Sequence, residues 1–311
     1  METDFDLIVI GAGAAGLAAA QYGARANLRT LVIEETAAGG QALLIDNLEN
    51  YPGLIGPLSG YDFADVMKRQ AESFGASFLS ASASSLRKEG GVFVLETSGR
   101  PVSAKAAVLA TGAKHRHLGV PGEEEFAGRG VSYCATCDGP FFRGRRMLVV
   151  GGGDAACDES MFLSKLSDKI VLAHRKNRFR AQRALAERVL KNPNIEVRFE
   201  TVVERISGTS KVESVTLREI SSGRVYDENF DAVFVFIGSI PQTSLVPDAK
   251  KDEGGFLLTD ERMATSIPGL FAAGDVRASP FRQLVTAASD GAVAAHSASI
   301  YIDEIEGEAY A

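Results

Sequence analysis

The sequence predicts an α/β protein of two Rossmann-like dinucleotide-binding domains, each a three-layer ββα arrangement, with the second inserted into the first. Three observations predict it. A Gly-x-Gly-x-x-Gly turn (Gly11, Gly13, Gly16) follows the first strand. A second glycine turn begins at Gly151-Gly152-Gly153. The tail carries a strand and a long Ala-rich helix but no third turn of this kind.

The first unit runs from strand Leu7–Ile10 through Gly11–Gly16 to an Ala-rich helix, then to strand Thr30–Ile33. Glu34 stands 23 residues after Gly11, where an acid accepts a hydrogen bond from a ribose hydroxyl. Gly11 permits the tight turn, Gly13 lets the backbone approach a pyrophosphate, and Gly16 lets helix pack on strand. The helix N-terminus faces the phosphates. A Gly-x-Gly-x-x-Gly alone is a weak signal; with strand, helix and acid around it, the pattern becomes specific. Short strands follow at Val92–Thr97 and Ala106–Ala110, ending in Thr111-Gly112-Ala113.

The second unit repeats this order. Strand Arg146–Val150 leads through Gly151-Gly152-Gly153-Asp154-Ala155-Ala156 into a helix reaching about Leu166, then strand Lys169–Ala173. Ala156 holds the third glycine's place, which the fingerprint tolerates. No acid ends this strand. Instead comes His174-Arg175-Lys176-Asn177-Arg178-Phe179-Arg180. Such a basic cluster suits the 2′-phosphate of NADPH, and its plain alternative is a solvated basic turn. Strands Ile195–Phe199 and Ala232–Ile237 flank a hairpin region, repeating the small β insert of the first unit. Strand Leu270–Ala272, Gly274-Asp275-Val276 and a helix from about Gln283 to Tyr301 then complete the first domain. The expected domains are 1–115 with 245–311, and 116–244.

Between the two units stands Cys134-Ala135-Thr136-Cys137-Asp138. C-x-x-C spacing lowers one thiol's pKa and allows a small disulfide ring. Zinc is the competing reading, but a closed site needs four ligands. Cys157 and the four histidines (His115, His117, His174, His296) do not supply them at zinc-type spacing. Cys157 reads as a small buried hydrophobe. No metal is expected.

Composition narrows the class further. A net charge of −7 and a pI near 5.3 oppose a general nucleic-acid or membrane-surface binder. No apolar run approaches the ~20 residues of a membrane span, and residues 1–10 show no signal-peptide pattern. Only three cysteines are present, so this is no disulfide scaffold; with no export signal, a reducing cytoplasm is expected, where such a pair is more often catalytic or metal-binding than structural.

Two dinucleotide sites and a dithiol call for a carrier that takes a hydride and hands on two electrons, so the first site suits FAD. Asp275 could then hold a ribityl hydroxyl, or be a turn aspartate. Gly39-Gly40-Gln41 offers flexible backbone near a cofactor, or a plain glycine turn.

Nearly the whole chain resembles the low-molecular-weight, bacterial-type thioredoxin reductases. The matching motifs are Gly11–Gly16, Gly39–Gln41, Glu49–Gly53 (with Asn50), Ala110–Ala113 and Leu118–Glu123. Gly128–Gly139, Gly151–Ala156, His174–Ala181, Ile237-Gly238 and Gly274 through Gln283 continue the match. The dithiol block and the last block are the most specific. The resemblance implies that NADPH reduces FAD and the flavin reduces a Cys134–Cys137 disulfide. It places Cys137 toward the flavin and makes Cys134 the attacker of the partner's disulfide. Asp138 takes the family acid's position, Arg282 and Gln283 lie by the flavin, and Arg175, Lys176 and Arg180 grip the 2′-phosphate. It implies thioredoxin as partner, a homodimer, and a rotation of one domain against the other. Departures are small: Lys176 stands where a second arginine is usual, Asn177 where aspartate is common, and Ser289 where glycine is frequent. Related readings are a flavoprotein dithiol oxidase, which has no need of the basic cluster, and a ferredoxin-fed disulfide reductase. A non-enzymatic nucleotide-binding redox sensor is a further alternative, opposed by the complete dithiol.

Overall fold

The computed structural model describes residues 3–45, 48, 50–55 and 58–307 of the 311. The chain divides into two compact units, Met1–Lys114 with Ile240–Ala311, and His115–Ser239.

In the first unit a parallel sheet carries Ser77–Ser80, Thr30–Glu34, Phe5–Ile10 and Val102–Leu109, in that order. The far edge of Val102–Leu109 serves two partners. Its first residues pair antiparallel with Val92–Thr97, which turns back on Ala83–Glu89. Its last three pair parallel with Leu270–Ala272. The strand therefore starts four residues earlier than the apolar run 106–110 indicates, because Val102 and Ala104 are buried against the meander.

Alternation along the strands sorts side chains into two layers. Leu7, Val9, Val32, Ala106 and Val108 meet the helices Ala14–Arg25 and Leu284–Glu306. Ile8, Ile10, Leu31, Ile33, Ala107 and Leu109 meet Phe93, Leu95 and the stretch around Leu245 and Leu257. Burial on both faces explains the unbroken apolar runs of these strands. Each fully buried leucine or isoleucine contributes ~2 kcal/mol, and a one-residue slip would exchange the two layers, so register is strongly fixed. The two helices approach so closely that a Cβ on Gly291 would lie 2.0 Å from the carbonyl oxygen of Ala15. The last helix continues past Tyr301 to Glu306, buries Ile302, and stops where Gly307 turns left-handed at φ 76°. Helix Gly60–Ser73, which the sequence reading leaves unassigned, starts at an N-cap: Ser59 Oγ accepts the Asp62 N–H at 3.0 Å.

The second unit repeats the plan at smaller scale. Its parallel sheet runs Ile195–Arg198, Ile170–Ala173, Met147–Gly151, Ala232–Phe236, Val131–Ser132. Leu148, Val150, Val171 and Val233 face the antiparallel meander Thr201–Gly208, Val212–Glu219, Val225–Asn229. Met147, Val149, Ile170 and Phe234 face the helices Asp154–Leu163 and Arg183–Leu190. Both units are thus three layers, meander on sheet on helices.

Candidate active site

Three constellations emerge. The first surrounds the opening glycine turn. Gly11 has φ +101°, and a Cβ there would lie 2.5 Å from the Ala110 carbonyl oxygen, so only glycine fits. A Cβ on Gly16 would lie 1.8 Å from the Gly11 carbonyl oxygen, which fixes helix against turn. Gly13 has open space where its side chain would be, as a site for close backbone approach requires. Glu34 is bound to the turn: Oε2 accepts the Ala12 N–H at 2.8 Å, while Oε1 accepts Thr36 N–H and Oγ1–H at 3.0 and 3.1 Å. Gly39 donates to the Ala12 carbonyl at 2.8 Å and brings Gly40 against Gly13.

The other residues singled out in this unit gather by long-range hydrogen bonds. Gln41 Nε2 donates to the Ala113 carbonyl at 2.8 Å, and Asn50 Nδ2 to Gln283 Oε1 at 3.1 Å. Thr111 Oγ1 donates to the Gln242 carbonyl at 2.6 Å, and Gln242 N–H donates to the Gly112 carbonyl at 2.9 Å. Gln242 carries no local sequence signal that marks it for this site. Gln283 caps the long helix, its side chain and that of Thr286 closing a capping box. Burial pushes the Asp275 carboxyl up, with Arg282 opposing. Arg282 stacks 4.2 Å above the Phe256 ring, and its buried Nε has no partner among the described residues. A buried guanidinium N–H without an acceptor fits a ligand that brings one. Glu49 lies outside the described residues.

The second constellation surrounds Gly151–Ala156. A Cβ on Gly151 would lie 2.4 Å from the Phe236 carbonyl oxygen, and Gly153 has open space beside it. Asp154 opens the helix and its Oδ1 accepts the Gln182 N–H at 2.7 Å. Arg180 N–H donates to the Gly152 carbonyl at 2.7 Å. His174 fills the space beside Gly152, where a Cβ would lie 2.2 Å from its ring. Its ring stacks on Phe179, burial pushes its pKa down, and the buried Nε2 has no partner among the described residues. Arg175, Lys176 and Arg180 are exposed and form no ion pair among the described residues. An acid-free strand end with unpaired cations fits an extra phosphate.

The third constellation is the dithiol, within the 115–239 unit. Cys134 and Cys137 are joined as a disulfide, with Cα atoms 5.4 Å apart. Cys134 caps the short helix Ala135–Asp138, and its Sγ accepts the Cys137 N–H at 3.3 Å. Thr136 Oγ1 lies 3.4 Å from the same sulfur. Ala135 shares one core with Met147, Ala156 and Cys157, so the dithiol helix is packed on the second glycine turn's helix. Gly139 continues this contact, since a Cβ there would meet Leu163 at 2.7 Å. Cys157 is fully buried, and burial raises its thiol pKa to about 11, which makes it inert. Among the described residues no group of three His, Cys, Asp or Glu could hold a metal ion, and no helix is long and apolar enough to cross a membrane.

Two glycine turns and a dithiol on one chain define a nucleotide-linked disulfide oxidoreductase. Residues 5–292 match the family model for pyridine nucleotide-disulphide oxidoreductases. The thioredoxin reductase of Treponema pallidum is 56% identical over 306 residues, covering 98% of this chain and 100% of the relative. That of Listeria innocua is 43% identical over 308 residues, covering 98% and 96%. The crystal structure of thioredoxin reductase from Streptococcus pyogenes is similar at a TM-score of 0.90 and 40% identity, covering 96% of this chain and 98% of that one. The chain belongs to the pyridine nucleotide-disulphide oxidoreductase family and, within it, to the thioredoxin reductases. That family implies a flavin and a nicotinamide cofactor.

Proposed function

We propose that the chain uses NADPH and FAD to reduce the disulfide of thioredoxin, by way of Cys134 and Cys137. What carries the reading is the disulfide on a helix that packs into the core of the second glycine turn, in a chain of this family. The FAD site is assigned to Gly11, Gly13, Gly16, Glu34, Gly40, Gln41, Asn50, Thr111, Gly112, Asp275, Arg282 and Gln283. The NADPH site is assigned to Gly151, Gly153, Asp154, Ala156, His174, Arg175, Lys176 and Arg180. When bound, the two cofactors supply a hydride's two electrons and deliver them as a pair to the disulfide.

The protein's own part is binding, exchange and proton handling. Glu34 is preorganised by Ala12 and Thr36, so a ribose hydroxyl meets a fixed carboxylate. Arg175, Lys176 and Arg180 meet the 2′-phosphate as charges not engaged in ion pairs. Once the dithiol is reduced, the Cys134 thiolate attacks one sulfur of the partner's disulfide and expels the other as a thiolate. Cys137 then attacks Cys134 in the mixed disulfide, reforming the Cys134–Cys137 bond and releasing the partner's second thiolate. Asp138 supplies a proton to a leaving thiolate. The proposed compartment is the cytoplasm and the proposed assembly a homodimer, both by analogy with the family.

Stopped-flow absorbance with anaerobic NADPH, followed by thioredoxin, tests the reading. Cys137→Ser should lose thioredoxin reduction to background while NADPH still bleaches the flavin. A mutant whose flavin NADPH no longer bleaches would overturn the electron path.

A further inference from the structure

Two histidines that the function leaves unused, His115 and His117, stand beside the residue that precedes the dithiol. We infer that Tyr133, held by Glu123 and His117, is a positioning residue that fixes Cys134 for thiol–disulfide exchange. The inference rests on the reading of Cys134–Cys137 as the exchanging pair.

The geometry is a chain of hydrogen bonds centred on Glu123 and Tyr133. Glu123 is 1% exposed and accepts three donors: Leu118 N–H at 2.9 Å, Gly119 N–H at 2.8 Å, and Tyr133 O–H at 2.9 Å. A carboxylate only accepts, so the single tyrosine proton goes to Glu123. The tyrosine oxygen then accepts from His117 Nδ1–H, 2.9 Å away, which fixes that imidazole's tautomer. The His115 ring stacks on the tyrosine ring with centroids 5.1 Å apart and planes 14° apart, and the His117 ring meets it edge-on at 5.3 Å. Burial pushes the His115 pKa down, so it packs as a neutral ring. Burial and Glu123 raise the Tyr133 pKa, so the phenol keeps its proton.

This knot holds the chain one residue before the reactive sulfur. Ser132 holds the Cys134 backbone as well. Its Oγ accepts the Cys134 N–H at 3.1 Å and donates to the Cys134 carbonyl at 3.2 Å, while its strand pairs with Phe234. When the disulfide is reduced, Cys134 loses its covalent tether to Cys137. The knot then keeps its sulfur in place, which raises the effective concentration of one thiol at the other. A looser Cys134 gains freedom in the dithiol form, so loosening favours the reduced state.

The test is a redox titration of the holoprotein against mixtures of oxidised and reduced glutathione. Cys134 and Cys137 are alkylated and counted by peptide mass spectrometry, and thermal melting is measured in parallel. Tyr133→Phe should lower the equilibrium constant for forming the disulfide about fivefold, as expected for loss of one typical hydrogen bond. Glu123→Gln and His117→Ala should shift it the same way. His117→Gln, which keeps a side-chain N–H donor, should stay within about twofold of the native value. Unchanged constants in Tyr133→Phe and Glu123→Gln would overturn the inference. So would a lowered melting temperature with no shift in the constant, the outcome of a merely structural role. If His117→Gln behaves as His117→Ala, the part given to His117 fails. A native Cys134–Cys137 pair that never exchanges with glutathione would instead sink the reading of the dithiol itself.

Discussion

The two glycine turns share a backbone plan and differ in what surrounds it. In the first, strand Thr30–Glu34 ends in a carboxylate that folds back onto the turn at Ala12. In the second, strand Ile170–Ala173 ends in an imidazole that fills the space beside Gly152 and in exposed cations beyond it. The third small residue differs too. At Gly16 no Cβ can be placed, whereas Ala156 carries one in a fully buried position. The turn itself is therefore generic, and the two units differ in the charge at the end of the second strand, the feature on which the proposed FAD and NADPH assignments divide. The bases of the first strands invert their polarity as well. Asp6 pairs with Arg29 and Lys105 in one unit, whereas Arg146 pairs with Glu228 in the other.

Breaking the tighter turn should have the largest effect. Gly16→Ala forces a methyl into the Gly11 carbonyl, and overpacking of this kind costs ~3 kcal/mol. The purified protein should carry much less flavin, read as the ratio of 450 to 280 nm absorbance. Next comes the charge contrast at the strand ends. Arg175→Ala with Arg180→Ala should raise the KM for NADPH about 30-fold, ~2 kcal/mol, and leave that for NADH nearly unchanged. An equal effect on both would remove the 2′-phosphate assignment.

The inverted ion pairs give a smaller effect, dependent on pH. Burial pushes the Asp6 carboxyl up, but hydrogen bonds from Arg29 and Lys105 outweigh it, and its pKa ends well below the usual range. A depressed folded pKa stabilises above the unfolded value of about 3.9, and that stabilisation is lost as pH falls below it. Asp6→Asn should thus cost about 1.5 kcal/mol at pH 7 and progressively less below about pH 4, as urea melts at each pH would show. The smallest effect sharpens the contrast between the turns. Ala156→Gly should cost only ~1 kcal/mol, the loss of helix propensity, and leave the KM for NADPH within about twofold.

Both turns were legible in the sequence because their chemistry is local. Glycines at fixed offsets, a preceding apolar strand and a following Ala-rich helix lie within one βαβ stretch. The strand runs were legible because burial on both faces leaves few polar interruptions. What lies across the sequence was not. The Thr111–Gln242 bond spans 131 residues, and that of Asn50 to Gln283 spans 233. No periodicity records such pairs, so Asn50 and Gln283 entered only through the family motifs and Gln242 not at all. Tyr133 and Glu123 were inside matched motifs, yet their bond depends on how the 117–123 loop closes. The short edge strand Ser77–Ser80 carries too few apolar residues to announce itself.

The shared edge of Val102–Leu109 has a consequence for how the molecule is made. The 115–239 unit is continuous, and its sheet has all its strands once residue 236 exists. The sheet of the first unit lacks Leu270–Ala272 until much later, and its helical layer lacks Leu284–Glu306. During synthesis the inserted unit is therefore whole before its host, though the host began first. Until residue 306 is made, Ala15 and Ala19 of the first helix and the strand carrying Ala106 and Val108 lie without the helix that packs on them. The unit that exposes apolar surface to the ribosome's surroundings is the one that started earliest.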